Sequence, residues 1–188
     1  MIERPTSPLG PTLETERLFL RPPTLGDFPR WADFMGGPET TRFIGGVQSK
    51  HEVWRAMASV AGMWALQGEG MFSLIEKKTG NWMGRIGPLH PYDWPGREVG
   101  WSLHRDATGK GYAVEAAAAT MDYAFDVLDW PDVIHCIDPD NLGSEKVARR
   151  LGSTNRGPGT MPPPFQHHPV NLWGQTRGEW RTNRQRLR

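Results

Sequence analysis

The segment from residue 98 to residue 115 constrains the fold more than any other part of the chain, because it predicts a strand, a glycine-rich loop and a helix in direct succession. Apolar residues alternate with polar or small ones from Glu98 to Leu103, which is the period of a strand with one buried face. Gly109 and Gly111 follow, and from Tyr112 onwards apolar residues recur every three or four positions, as in an amphipathic helix. The loop therefore ends at a helix N-terminus.

A loop of this kind is suited to holding a phosphate group. Gly109 and Gly111 permit backbone conformations and close approaches that other residues do not, and a helix N-terminus offers free N–H groups and the positive end of the helix dipole. The alternative is a tight turn without a ligand, which two glycines alone leave open. Two phosphate loops are excluded, because the nucleoside-triphosphate loop needs Ser or Thr after Lys110 and the dinucleotide fingerprint needs glycine in place of Val114.

The run from Thr108 to Ala113 resembles the acyl-CoA pyrophosphate loop of the GNAT superfamily of N-acetyltransferases, Gln/Arg-x-x-Gly-x-Gly/Ala, although Thr108 departs from the first position. Gly109 to Ala116 is similar to the loop of the branch that includes the ribosomal-protein N-terminal acetyltransferases. The resemblance covers most of the chain, from about Thr12 to about Arg181. Further motifs of that branch are Thr15 to Arg21, Glu98 to Trp101, Asn141-x-x-Ser144, Leu151-Gly152 and Trp173 to Trp180.

At 188 residues and 21.2 kDa the chain has the length of one domain with a full core. The resemblance implies an α/β (α+β) fold, with a mixed, mostly antiparallel sheet flanked by helices. We assign residues 12–181 to the N-acetyltransferase domain, residues 1–11 to a loosely ordered N-terminal arm and residues 182–188 to an Arg-rich C-terminal tail.

Local patterns predict the remaining elements. Thr24 and Ser49 can cap helices, and the resemblance implies that these two helices wall the acceptor site. The strand of Glu98, the central helix and the strand of Val133 form a βαβ unit, whose two strands should be parallel. The other predicted elements are a strand over 13–20, a hairpin of 71–76 with 81–88, a helix over 143–151 capped by Asp140 or Asn141, a loop over 157–164 and a strand over 169–176.

Composition limits the partners and the compartment. The 22 Lys and Arg against 21 Asp and Glu give a net charge of +1, so no nucleic-acid or membrane partner is expected. Cys136 is the only cysteine, which excludes an internal disulfide and suits a reducing, cytoplasmic location. His167 and His168 lack a third ligand at metal-site spacing, so we predict no metal. A homodimer is left open.

Transfer of an acetyl group from a thioester to an amine needs a held donor, a deprotonated amine and a proton for the leaving thiolate. The resemblance implies that acetyl-CoA is the co-substrate and that its pantetheine arm lies between the strands of Glu98 and Val133, which splay apart in this family. A backbone donor near Val99 or Trp101 would stabilise the oxyanion. The residues expected to bind the co-substrate are Val99, Trp101, Thr108, Gly109, Lys110, Gly111, Tyr112, Ala113, Asn141 and Ser144.

Glu98 is the first choice of general base, because alternation places it off the apolar face of its strand and the resemblance implies a carboxylate there that acts through water. A base is required since amines are protonated at neutral pH. The alternative is a solvated or salt-bridged strand residue. His90 and Asp93, in the preceding loop, are weaker candidates.

Many members of the superfamily protonate the thiolate with a tyrosine, but Ala148 occupies that position in this chain. The resemblance implies that Ser144 replaces it as the second catalytic residue. Ser144 could instead be a plain first-turn helix residue, with water as the proton source. The sequence thus predicts acetyl transfer to a primary amine, either a protein N-terminus or a small molecule. The missing tyrosine keeps a non-catalytic CoA-binding protein as the alternative.

Overall fold

A computed structural model describes residues 2–187 and shows one eight-stranded open sheet flanked by helices. The strand order is β1-β2-β3-β4-β5-β6-β8-β7, and every neighbouring pair is antiparallel except β5 with β6. This confirms the predicted mixed, mostly antiparallel sheet. The strands are Leu13–Glu14 (β1), Leu18–Arg21 (β2), Phe72–Glu76 (β3), Trp82–Leu89 (β4), Glu98–Leu103 (β5), Asp132–Ile137 (β6), Thr154–Gly159 (β7) and Val170–Thr176 (β8).

The helices form where the sequence supplies caps and an apolar face. They are Phe28–Gly36 (α1), Pro38–Thr41 (α2), Lys50–Gln67 (α3), Tyr112–Asp126 (α4), Leu142–Arg150 (α5) and Arg177–Arg184 (α6). Ser49 and Glu52 form the expected capping box of α3, and Asn141 caps α5. After Thr24 a short 3-10 turn over Leu25–Asp27 precedes α1. The caps thus set where α3 and α5 begin.

The central unit is β5, α4 and β6, which is the predicted βαβ unit with parallel strands. Alanines in α4, among them Ala116, Ala117 and Ala124, are fully buried, so the helix lies close against the sheet. This packing fixes the start of α4 relative to the edge of β5, where the predicted site residues lie.

Two predicted elements were wrong. The single strand over 13–20 is in fact two short antiparallel strands, because the polar residues between them form a turn in which the Thr15 N–H donates to Leu18 O at 3.0 Å. The loop predicted over 157–164 begins as part of β7. That strand is mostly exposed and lies at the sheet edge, where Gly and Pro are tolerated, so it lacks the apolar alternation that would have indicated it.

Both ends of the described chain contact the domain. The Thr12 hydroxyl donates to Pro5 O at 2.7 Å, and Leu9 packs against the core. Residue 181 falls inside α6, in which Arg184 forms an ion pair with Asp122 at 2.9 Å. Within residues 2–187 no helix is both long and apolar enough to cross a bilayer.

Candidate active site

Strands β5 and β6 part soon after they meet, and this opening organises the site. Their only paired position is Glu98 with Ile134, where the Ile134 N–H donates to Arg97 O at 2.9 Å. The next β6 amide on that edge, from Cys136, donates to the Glu98 side chain rather than to a β5 carbonyl. The two strands therefore form a cleft beyond Glu98, as the resemblance implied.

A buried histidine fills the base of this cleft. His135 in β6 is 1% exposed, and its Nδ1 lies 2.7 Å from Val99 O. Since a carbonyl only accepts, Nδ1 carries the proton and Nε2 accepts from the Ser153 hydroxyl at 2.9 Å. Burial lowers the pKa of His135 to about 4, so the ring is neutral at physiological pH. The imidazole thus replaces one backbone pairing between the two strands.

The backbone of β5 presents a donor to the cleft at Trp101. Successive residues of a strand direct their backbone groups to opposite edges, and Arg97 and Val99 both direct their carbonyls towards β6. Trp101 is the next residue on that edge, beyond the last backbone pairing of the two strands. Its N–H is therefore the β5 donor that faces the open part of the cleft.

The Glu98 carboxylate is buried, with 6% of the residue exposed. Oε2 accepts from the Trp94 indole N–H at 2.6 Å, and Oε1 accepts from the Cys136 amide at 3.1 Å. No cation within residues 2–187 forms an ion pair with it. Burial raises the pKa of the Glu98 carboxyl, more than these two hydrogen bonds lower it. The alternative of a solvated or salt-bridged strand residue is therefore wrong.

Asn141 and Ser144 lie on the opposite wall, at the start of α5. Asn141 Oδ1 accepts from the Ser144 N–H at 3.1 Å, so the amide NH₂ remains for a ligand. The Trp101 indole N–H donates to Ser144 Oγ at 3.2 Å, which holds the hydroxyl in the cavity wall. Ala148, one turn further on, is fully buried. A tyrosine there would have no space without repacking.

The glycine loop lies next to the start of α4. Gly109 and Gly111 have φ of 77° and 79°, the left-handed region that favours glycine. Gly111 is the N-cap of α4, and no side chain caps the helix there. The first amides of α4, from Tyr112 and Ala113, are consequently available to an anion, whereas Lys110 and Thr108 form the rest of the loop.

A network from the N-terminal motif supports this loop. Glu115 accepts from Thr15 Oγ1 at 2.6 Å and from Arg17 Nε at 2.7 Å. Arg17 also donates to Lys110 O at 2.9 Å, and its guanidinium lies 4.6 Å from the centre of the Tyr112 ring. The N-terminal motif and the glycine-loop motif therefore meet in space, with a structural role for the side chains of Arg17 and Glu115.

The cleft continues into a cavity of about 290 Å³ that Glu98, Trp101, Asn141 and Ser144 all line. Its outer walls come from two loops, one with Phe43 to Gly45 and one that contributes Met161, Phe165, His168 and Pro169. Neither α1 nor α3, the two helices expected to help wall the acceptor site, lines this cavity.

The weaker candidates lie elsewhere. His90 and Asp93 do not line the cavity, although Trp94 from the same loop does. His168 lines it and His167 does not, and within residues 2–187 no three His, Cys, Asp or Glu side chains come close enough to hold a metal ion. The Thr108 to Ala113 loop lies outside the cavity walls.

Sequence reasoning missed three residues of the site: Trp94, His135 and Arg85. His135 carried a signal, since a lone histidine in an apolar strand must find partners for both ring nitrogens. Arg85 also carried one, because it lies within a strand of otherwise apolar or small residues. Trp94 carried none, because the sequence does not show which loop side chain turns back to Glu98.

Together the parted parallel strands, the uncapped helix start and the buried carboxylate define a domain built for acyl transfer from a CoA thioester. Residues 17–154 match the family of acetyltransferase (GNAT) domains. The chain is 31% identical over 150 residues to the uncharacterized N-acetyltransferase p20 of Bacillus licheniformis, covering 78% of this chain and 84% of that protein. The chain therefore belongs to the GNAT family of acetyltransferases, enzymes that use acetyl-CoA as co-substrate.

Solved structures of acetyltransferases have the same fold as this chain. An acetyltransferase from Agrobacterium tumefaciens is 34% identical with a TM-score of 0.77, over 89% of this chain and 95% of that one. The ribosomal-protein-S5-alanine acetyltransferase from Vibrio fischeri shares the fold, with 18% sequence identity and a TM-score of 0.67. The match covers 90% of this chain and 98% of that one. Family membership supports an enzyme rather than the non-catalytic alternative, and the acceptor remains to be inferred from the site.

Proposed function

We propose that this protein transfers the acetyl group of acetyl-CoA to a primary amine by direct attack in a ternary complex. The observation that carries the proposal is the Glu98 carboxylate, which is buried beside the cleft between β5 and β6 without a cationic partner in residues 2–187. A carboxyl whose pKa is raised by burial is a stronger base than a solvated one. In the proposed complex it would lie beside the amine that attacks the thioester.

The described residues fit acetyl-CoA, which supplies an activated acetyl thioester. The amides of Gly109 to Ala113 would hold the pyrophosphate, since the start of α4 has no side-chain cap and both glycines adopt left-handed conformations. The pantetheine would lie in the cleft, where the Asn141 NH₂ group has no hydrogen-bond partner among residues 2–187. Val99 lines the same cleft, with its carbonyl engaged by His135.

Each proton in the reaction has an assigned place. Glu98 takes a proton from the ammonium group of the acceptor, through a water molecule, before the C–N bond forms. The Trp101 N–H would donate to the carbonyl oxygen as negative charge develops on it. Ser144 Oγ, held by the Trp101 indole, would give a proton to the thiolate when the C–S bond breaks, with water as the alternative source. The second proton of the attacking nitrogen would leave the tetrahedral intermediate at this step and pass through water to Ser144, which restores the hydroxyl.

The test compares Glu98→Gln with Glu69→Gln by steady-state release of CoA thiol across a panel of amines. Glu69 is a matched control because burial also raises its pKa and it does not line the cavity. Glu98→Gln should reduce kcat/KM by about 100- to 10,000-fold with an unchanged Kd for acetyl-CoA by calorimetry, and Glu69→Gln should reduce neither. Undiminished transfer by Glu98→Gln to every accepted amine would remove Glu98 as the base.

A further inference from the structure

Arg85 brings a cation into the acceptor side of the cavity. It lies in β4 directly opposite Ser102 of β5, and it lines the same cavity as Glu98. Alternate residues of a strand share a face, so Glu98, Gly100 and Ser102 form one row, with Arg85 beside its far end. The cation and the base therefore lie on one floor of the cavity, on either side of Gly100.

Arg85 has no counter-charge within residues 2–187. Its side chain forms no ion pair and no hydrogen bond there, and its Nε is buried without a partner. Neither of the cavity's carboxylates, Glu98 and Asp138, is within ion-pair distance. The guanidinium lies over the Trp31 ring at 5.4 Å, which satisfies none of its N–H groups. Burial lowers the pKa of Arg85 to about 10, so it is still a cation at neutral pH.

The space between Arg85 and Glu98 is shaped for a small molecule. Ser102 is four residues from Glu98, which is about 13 Å along a strand. Gly100 lets the Glu98 side chain fold back over the strand, because a β-carbon there would lie 3.2 Å from Glu98 Oε1 and 3.6 Å from the Met71 side chain. The walls around this space are largely apolar, with Met71, Leu89, Trp94, Met161 and Phe165 among them.

We propose that Arg85 binds the carboxylate of the acceptor and that the acceptor is a free amino acid with an apolar side chain. This inference rests on the proposed function, since it names the substrate of that site. A single unpaired cation matches the single charge of a carboxylate, whereas a phosphate monoester carries nearly two charges at neutral pH. The planar guanidinium binds a carboxylate through two parallel hydrogen bonds. The N-terminus of a protein has no carboxylate of its own beside the amine.

The amine of such a molecule would lie in the cleft beside the Glu98 carboxylate, near the Trp101 amide and within one water molecule of Glu98. Its carboxylate would satisfy the N–H groups of Arg85, and its side chain would lie against Met71 and Leu89. Every polar group of the acceptor would then have a partner in a cavity that otherwise offers apolar contacts.

The primary test measures binding and does not need turnover. N-acetyl-L-methionine, N-acetyl-L-leucine and N-acetyl-L-phenylalanine, with their uncharged amides as matched probes, are titrated calorimetrically into the protein with and without CoA. At least one acid should bind about 10- to 100-fold more tightly than its amide. In Arg85→Met the ratio of acid to amide affinity should fall to near 1. In Arg85→Lys it should take an intermediate value, since lysine keeps the charge but cannot donate two parallel hydrogen bonds to a carboxylate.

Arg42→Met is the matched control variant. Arg42 also lies over an aromatic ring, that of Phe43, but it is exposed and does not line the cavity. The ratio of acid to amide affinity should be unchanged in Arg42→Met. A thermal melt of each variant establishes that it is folded before binding is measured.

Two results of the binding measurements would overturn the inference. One is equal affinity for acid and amide, or no binding of any of the six probes at millimolar concentration. The other is a preference for the acid that survives in a folded Arg85→Met. Failure of the proposed function would give a different result: the protein would not bind acetyl-CoA, or it would release no thiol with any amine. Acetyl transfer to amines without a carboxylate, at the same kcat/KM as to amino acids, would retain the enzyme and reject the role of Arg85.

Discussion

Arg21 and Arg85 lie in one cross-strand row of the sheet, but only Arg21 forms an ion pair within residues 2–187. Arg21 pairs with Ser73 of β3, and Ser73 pairs in turn with Arg85 of β4, so the two arginines lie on the same face two strands apart. Arg21 makes two bonds to the Asp27 carboxylate, at 2.7 and 2.6 Å. Arg85 has no carboxylate partner in residues 2–187. The same side chain is a structural element in one place and, in our proposal, the group that binds the acceptor in the other.

Two glutamates repeat this contrast. Burial alone would raise the pKa of Glu115, but hydrogen bonds from Thr15 and Arg17 lower it below its usual value. Burial raises the pKa of Glu98, and its two N–H donors do not reverse this. Glu115, which braces the glycine loop, is thus paired with Arg17, whereas Glu98 and Arg85 in the cavity have no partner of opposite charge within residues 2–187. Site residues are expected to reduce stability in this way.

The largest expected effect is on the Arg21 side of the comparison. Arg21→Met should lower the free energy of unfolding by about 3 to 5 kcal/mol, because Asp27 is 3% exposed and would lose its cation. Urea unfolding measures this loss. The double variant Arg21→Met with Asp27→Asn should recover part of it, since the amide removes the unpaired charge and keeps an acceptor for the Thr24 N–H and the Ser73 hydroxyl. A single variant as stable as the wild type would show that the pair contributes little.

The glutamates should give opposite slopes in a pH series of unfolding measurements. A lowered folded pKa makes Glu115 stabilising above its unfolded pKa of about 4.5, and this stability is lost as pH falls through the folded value. A raised folded pKa makes Glu98 increasingly unfavourable as pH rises from about 4.5 to the folded value. Relative to wild type, Glu115→Gln should therefore become less stable with rising pH.

Glu98→Gln should show the reverse trend. In this variant either the Trp94 indole N–H or the Cys136 amide loses its acceptor, which lowers the free energy of unfolding by about 1 to 3 kcal/mol at acid pH. The difference from wild type should shrink as pH rises and the wild-type carboxylate ionises. If the stability difference from wild type changed with pH in the same direction for both variants, Glu98 would not be the carboxylate whose pKa is raised by burial.

The sequence predicts the local elements of this fold better than the contacts between residues that are distant in the chain. The β5, loop and α4 succession and the caps of α3 and α5 are local patterns, since their residues lie within a few positions of one another, and they were predicted correctly. The sequence does not show that Asp27 turns to Arg21 and away from Arg85, or that His135 reaches Val99 O. Such pairings depend on which strands become neighbours, so the lack of a carboxylate partner for Arg85 within residues 2–187 could be recognised only from the folded chain.

The smallest expected effect is the most informative. Arg85→Met should change the free energy of unfolding by no more than about 1 kcal/mol, in either direction, because it removes a desolvated cation that has no carboxylate and forfeits only a contact with the Trp31 ring worth about 0.5 to 2 kcal/mol. Urea unfolding beside Arg21→Met makes the comparison direct, since both variants replace an arginine of one cross-strand row by the same residue. A loss as large as that of Arg21→Met would mean that Arg85 has a carboxylate partner within the protein. The cavity would then have no free cation to offer an acceptor, and the amino-acid assignment would be wrong even if acetyl transfer itself were observed.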